Sequence, residues 1–142
     1  MSKLVQGVGL NDKTRPAKAD GKNVKEYDLW RHMLQRCFSN EYQISQPTYK
    51  GCSVSDNFLH YSFFYDWCQE QVGFGKVDVN NRHWQLDKDL LFVGNKTYSE
   101  TTCVFLPAEI NSFSPTVVLS EATILLVLVF TKQVVRLLHD AV

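Results

Sequence analysis

Apolar side chains recur at spacings of three and four in two stretches of the first half of the chain. In the first stretch, from Glu26, they are Tyr27, Trp30, Met33, Leu34 and Cys37. In the second, from about Asn57 to Gln71, they are Leu59, Phe63, Phe64, Trp67 and Cys68. This period places the apolar residues on one face of a helix. We therefore predict two helices with buried aromatic faces, and Gly73 and Gly75 end the second.

The flanking segments have no such period. Residues 1–25 are rich in Gly, Asn, Lys and Asp, which predicts a flexible arm. Ser39–Lys50 is polar and contains a proline, so we predict a loop there. Cys52–Val54 is interpreted as a short strand.

The segment from Trp84 to Pro107 changes character. Trp84–Asp89 and Cys103–Leu106 have the pattern of strands, and Gly94-Asn95-Lys96 between them is typical of a turn. Pro107 suits the first turn of a helix over Ala108–Phe113. The predicted fold class is therefore α+β, with N-terminal helices followed by a β-hairpin and a helix.

Composition limits the functional classes. The 142 residues suit about one domain. Fifteen basic residues balance fifteen acidic ones, so net charge gives no support to nucleic-acid binding. Residues 1–37 are nevertheless basic and could contact a phosphate backbone, although a solvated arm is the alternative. The residues that we predict to bind DNA are Lys13, Arg15, Lys18 and Lys22 in this segment and Lys96 in the turn.

The four cysteines form no C-x-x-C pair, which is typical of scattered buried thiols in a reducing compartment. The N-terminus lacks the long apolar run of a signal peptide. Ile124–Phe130 is apolar but too short to span a bilayer. We expect a cytoplasmic protein with no membrane partner, and the oligomeric state stays open.

A β-hairpin followed by a helix can hold one divalent metal ion between them. Hard cations prefer oxygen ligands, which a carboxylate on the first strand and an amide on the helix can supply. The metal then stabilises charge on a scissile phosphate.

The motifs of this segment carry a family resemblance. They are Leu86-Asp87-Lys88-Asp89-Leu90-Leu91, Gly94-Asn95-Lys96, Tyr98-Ser99, Thr102-Cys103 and Leu106-Pro107-Ala108-Glu109-Ile110-Asn111. Together they resemble the ββα-metal core of the HNH homing endonucleases of T7-like phages. The resemblance extends from about Val5 to Phe113, and it implies an HNH-like nuclease domain over residues 26–113.

The resemblance implies roles for individual residues. Asp87 and Asn111 would be ligands of a divalent metal ion, Mg²⁺ or Mn²⁺. Asn95 lies in the turn and, with Lys88 and Asp89, completes the implied catalytic set. The implied partner is double-stranded DNA, and the implied location is the cytoplasm of the host cell.

The chain departs from the family at the general base. The family has His where this chain has Lys88, and a protonated lysine cannot accept a proton, although it can stabilise a phosphate. Asp89 is the better candidate for base or second ligand, because His83 lies too far along the strand. The alternative is that Asp87 and Asp89 are a solvent-facing acidic pair on a strand edge.

The family resemblance stops after Phe113, where related endonucleases continue into an AP2-like DNA-binding module. Residues 114–142 lack its pattern, yet a reading frame shifted by one nucleotide lets Glu121–Leu128 encode Arg-Gly-Asp-Tyr-Pro-Leu-Gly-Val. Our hypothesis is that this atypical tail is a frameshifted remnant of the module. A genuine strand or amphipathic helix is the alternative.

Two functions follow from the sequence. The first is a metal-dependent DNA endonuclease that hydrolyses phosphodiester bonds. The second is a catalytically inactive or truncated remnant that binds DNA weakly, or binds a host protein.

Overall fold

Two helices pack against each other and bury the aromatic faces predicted from their sequences. In the computed structural model, which describes residues 3–108, they are α1 (Lys25–Phe38) and α3 (Tyr61–Glu70). The buried residues are Trp30, Met33, Leu34 and Cys37 of α1 and Tyr61, Phe64, Trp67 and Cys68 of α3. The Trp30 indole donates a hydrogen bond to the carbonyl oxygen of Phe58 at 2.8 Å, which satisfies its buried N–H. The helical prediction is confirmed for the first face. On the second face Phe64, Trp67 and Cys68 are buried as predicted, whereas Phe63 is exposed and Leu59 lies before the helix.

The stretch predicted as one helix from Asn57 to Gln71 is in fact interrupted. A 3₁₀ turn spans Asn57–Leu59, His60 is extended, and α3 begins only at Tyr61. The N-terminal segment is the cause, because Leu10 N donates to Leu59 O at 2.8 Å and Tyr61 N donates to Leu10 O at 2.9 Å. Backbone groups engaged in this bridge cannot take part in a continuous helix.

The prediction of a loop over Ser39–Lys50 is wrong in part. The chain forms α2 (Asn40–Ser45) and then a 3₁₀ turn at Pro47–Tyr49. The Ser39 hydroxyl caps α2 by accepting a hydrogen bond from Tyr42 N at 3.1 Å. No residue of α2 is buried, so its sequence lacks the apolar period that predicts a helix.

The segment before α1 is packed against the helices, which differs from the flexible arm predicted for residues 1–25. Val5, Val8 and Ala17 pack on the hydrophobic core. The segment also contains a small antiparallel hairpin of β1 (Lys18–Ala19) and β2 (Lys22–Asn23). The few apolar residues here lack a regular period, which is why the sequence pattern did not reveal the packing.

Short strands form the rest of the fold. Strand β3 (Ser53–Val54) runs parallel to β5 (Thr97–Tyr98). Strand β4 (Gln85–Asp87) is antiparallel to β6 (Val104–Leu106), with Asp87 opposite Val104. The two predicted strands form and pair with each other, but the first ends at Asp87 rather than Asp89, and the connection between them contains the additional strand β5.

The predicted helix after β6 lies almost wholly outside the described residues. Ala108, the last residue that the structure describes, is helical. The predicted ligand Asn111 and the tail over residues 114–142 lie beyond it. Within residues 3–108 no helix is long and apolar enough to cross a membrane. All four cysteines are buried free thiols.

A substitution at Gly9 tests whether the N-terminal segment packs as described. A Cβ at this position would lie 2.9 Å from Trp30 Cζ2 and closer still to Leu34 Cδ1. We therefore expect Gly9→Ala to lower the free energy of unfolding by about 1–3 kcal/mol, the usual range for overpacking. Chemical denaturation followed by circular dichroism measures it. Lys3→Ala, an exposed change in the same segment, is the control, and equal stability of the two variants would contradict the packing.

Candidate functional site

An open cavity of about 720 Å³ lies between α1 and the end of β4. Helix α1 contributes Lys25, Leu29, His32 and Arg36, which are spaced so that they share one helix face. The opposite wall is continuous chain from His83 to Asp89, with Lys96 and Tyr98 beside it. Every residue of the Asp87-Lys88-Asp89 motif therefore lines this cavity.

The cavity is locally cationic although the chain as a whole is neutral. Its charged lining consists of four basic side chains, Lys25, Arg36, Lys88 and Lys96, and two acidic ones, Asp87 and Asp89. Two imidazoles, from His32 and His83, line it as well. The zero net charge of the sequence therefore conceals a surface that attracts anions.

Asp87 is a buried carboxyl group at the end of β4, with 8% of its surface exposed. Its Oδ2 atom accepts hydrogen bonds from the backbone N–H of Asp89 at 3.1 Å and of Leu90 at 2.7 Å. Burial, reinforced by the Asp89 carboxyl group, raises the pKa of Asp87 to about 6. A solvent-facing role for Asp87, the alternative left open by the sequence, does not fit this burial.

Asp89 does not share a strand face with Asp87, as the longer predicted strand would require. The Asp87 side chain takes up the N–H groups of the next residues, so the chain bends after Asp87. The Asp89 side chain is 51% exposed, yet its carboxyl group is near enough to hydrogen-bond that of Asp87. The bend after Asp87, and not a shared strand face, therefore brings the two carboxyl groups together.

Lys88 lies between the two acids in sequence and is largely buried, with 13% of its side chain exposed. Its Nζ atom is 3.9 Å from Asp89 Oδ2 and 5.4 Å from the centroid of the Tyr98 ring. The position that the resemblance assigns to a histidine base therefore holds an ammonium group on the cavity wall.

Asn95 closes the loop that connects β4 to β5. Its Nδ2 atom donates to the carbonyl oxygens of Lys88 and Thr97, both at 2.7 Å, and its Oδ1 atom accepts from Thr97 N at 3.2 Å. The amide thereby ties both ends of the loop and fixes the backbone that carries Lys88. Its catalytic role remains a prediction, whereas this bracing is visible.

The residues predicted to bind DNA are divided between two places. Lys96 lines the cavity, where its Nζ donates to Thr48 O at 2.9 Å. Lys13, Arg15, Lys18 and Lys22 belong to the N-terminal segment and do not line it. Arg15 is engaged by Asp66, with Nε and Nη2 each 2.8 Å from a carboxylate oxygen.

The sequence pattern does not single out the cavity residues of α1. His32 and Arg36 are polar positions outside the apolar face that predicts this helix. One signal in the sequence could have revealed them. Lys25, Leu29, His32 and Arg36 are spaced by four, three and four residues, which places them on one face of a helix. Partial burial lowers the pKa of His32, which favours its neutral imidazole. The His83 Nδ1 atom is 3.4 Å from Lys25 Nζ.

Asp87 and Asp89 fit a divalent cation by their chemistry. Two adjacent carboxyl groups raise the pKa of Asp87 because both cannot easily ionise together. A hard cation removes that conflict and can complete its coordination shell with water. Residues 3–108 hold no group of three or more His, Cys, Asp or Glu side chains that could bind a metal. Asn111, the predicted amide ligand, lies outside the described residues.

No family model, curated protein or solved structure matches this chain.

The raised pKa of Asp87 predicts that this residue destabilises the metal-free protein. As pH rises through about 4 to 6, the unfolded chain releases this proton before the folded one, so stability falls. We expect Asp87→Asn to raise the free energy of unfolding at pH 7 by roughly 1–3 kcal/mol, because it removes a buried charge.

The gain should shrink towards zero at pH 4, where the native carboxyl group is protonated anyway. Urea denaturation in EDTA at both pH values measures it, with the exposed Asp56→Asn as control. If Asp87→Asn is less stable than wild type at pH 7, the charged form of Asp87 does not destabilise the folded protein and the prediction is wrong.

Proposed function

We propose that this chain is a metal-dependent endonuclease of the HNH type that hydrolyses phosphodiester bonds in double-stranded DNA. The observation that carries the proposal is the buried carboxyl group of Asp87, at the end of β4 and on the wall of a cationic cavity. The resemblance of the same segment to the nuclease core supports it. The antiparallel pairing of β4 with β6, followed by helical Ala108, agrees with the expected order of elements.

Asp87 would hold the metal ion, together with Asn111 from the predicted following helix, and Asp89 would be a second ligand only if another group took up the proton. A bound Mg²⁺ or Mn²⁺ supplies positive charge to the scissile phosphate and to the leaving oxygen. Asn95 contributes by holding the loop that carries Lys88 and Asp89 in place.

The remaining chemistry belongs to side chains on the cavity wall. The ammonium group of Lys88 stabilises negative charge on the phosphate. Asp89, half exposed beside Asp87, accepts a proton from the attacking water. His32 is a second candidate for this task, because its lowered pKa favours the neutral imidazole and its side chain lines the same cavity.

The second candidate function is DNA binding without cleavage, by a catalytically inactive remnant. The observation that favours it is the ammonium group of Lys88 at the position of the family's base. A chain that lost its base would keep the cationic cavity and hence a weak affinity for phosphate.

The endonuclease proposal predicts metal-dependent nicking that depends on Asp87. Conversion of supercoiled to nicked plasmid should occur with Mg²⁺ or Mn²⁺, stop in EDTA, and fall below detection in Asp87→Ala, because a ligand of the ion is lost. Asp56→Ala, an exposed acid away from the cavity, is the control and should nick like wild type. Equal nicking by wild type and Asp87→Ala would exclude this site.

Restoring the histidine tests the position of the general base. We expect Lys88→His to raise the nicking rate at pH 7–8 by at least about tenfold, since a positioned base typically contributes a factor of 10² or more. Lys96→His, on the same cavity wall, is the matched control for losing a lysine. If Lys88→His is no faster across pH 6–8, the base lies elsewhere.

A further inference from the structure

Arg36 lacks the acidic partner that the other described arginines have. Residues 3–108 contain four arginines, and three of them form ion pairs or charged hydrogen bonds with a carboxylate, namely Arg15 with Asp66, Arg31 with Asp28 and Arg82 with Asp78. Among the described residues Arg36 has no such partner. Its guanidinium carbon instead lies 5.6 Å from the centroid of the Tyr49 ring, and the group is also close to Tyr98 and Tyr42.

Lys88 has a similar environment on the facing wall. Only 13% of its side chain is exposed, and among the described residues the carboxylate that pairs with it is that of Asp89, 3.9 Å away, at the outer limit for an ion pair. Tyr98 contacts both cations, because its ring lies under the Lys88 ammonium group and its side chain is close to Arg36. Two half-buried cations are thus gathered around one tyrosine.

Neither cation has a close carboxylate to neutralise it among the described residues. Cations taken partly out of water lose hydration. Tyrosine rings return part of that loss through cation–π contact, and they hold the guanidinium plane in a fixed orientation. A phosphate oxygen pair matches that plane, since guanidinium can donate two parallel hydrogen bonds to it.

We propose that Arg36 and Lys88, both in contact with Tyr98, form the binding site for a phosphodiester group of double-stranded DNA, and that this site binds without a metal ion. The identity of the ligand as DNA rests on the proposed function. Lys96, on the same wall, extends the site toward a neighbouring phosphate. The cavity, rather than the N-terminal lysines, is then the main contact with the backbone.

Fluorescence anisotropy of a labelled DNA duplex with the full chain in EDTA tests this site apart from cleavage. We expect Arg36→Gln to weaken binding about tenfold, as for the loss of one charged hydrogen-bonding group. The slope of log affinity against log salt should fall by about one. Lys76→Gln, an exposed change outside the cavity and outside the residues predicted to bind DNA, is the matched control and should leave both values unchanged.

Two further variants guard against a fold defect. Arg36→Lys keeps the charge but loses the paired donors, so it should bind between wild type and Arg36→Gln. Lys88→Gln should weaken binding to a similar extent. Thermal unfolding identifies any variant that fails to fold. Wild-type affinity in folded Arg36→Gln or Lys88→Gln, or a loss as large in Lys76→Gln, would overturn the proposal.

Competition separates a DNA backbone site from a site for a free phosphate compound. Inorganic phosphate or a mononucleotide, at an ionic strength matched with chloride, should displace the duplex poorly, because each occupies one subsite only. Efficient displacement would assign the cavity to a small phosphate ligand and overturn the DNA assignment. If the wild-type protein binds the duplex through Arg36 but does not nick plasmid DNA, the endonuclease proposal is rejected and the proposed binding site is not.

Discussion

The hydrogen bonds from the backbone of Asp89 and Leu90 to the Asp87 carboxyl group determine the shape of the candidate site. They end β4, turn the chain away from β6, and place Lys88 and Asp89 on the cavity wall instead of along a strand. The Asn95 amide closes the same loop from its other end. A short stretch of backbone is therefore fixed at both ends by side chains, although no regular secondary structure supports it.

Helix α1 serves the core and the cavity with two different faces. Its apolar face, with Trp30 and Leu34, packs in the hydrophobic core, which anchors the helix. The face with His32 and Arg36 is thereby held against the β4 loop without contributing to the core. Buried aromatic packing therefore anchors the helix that presents Arg36, a cation surrounded by tyrosines and without a carboxylate partner among the described residues.

The sequence predicted those parts of the fold whose stability comes from local periodicity. The aromatic faces around Trp30 and Trp67 are examples, since burial of one face imposes helical spacing directly. It failed where a distant partner decides the conformation, as at His60, whose extended backbone depends on pairing of its neighbours with Leu10. In the site, the resemblance to family motifs indicated Asp87 and Lys88. Arg36 was not predicted, because a polar residue on a helix has the same pattern as any solvated position.

Like charges are grouped in the cavity, with two carboxyl groups in one place and two cations in another. The Asp87 and Asp89 carboxyl groups share a place where a cation would relieve them, and the Arg36 and Lys88 groups share one where an anion would. The nearest approach between the two pairs is 3.9 Å, between Lys88 and Asp89. Under the proposed function, a metal ion with a phosphate would satisfy both pairs together, and each ligand would then strengthen the binding of the other.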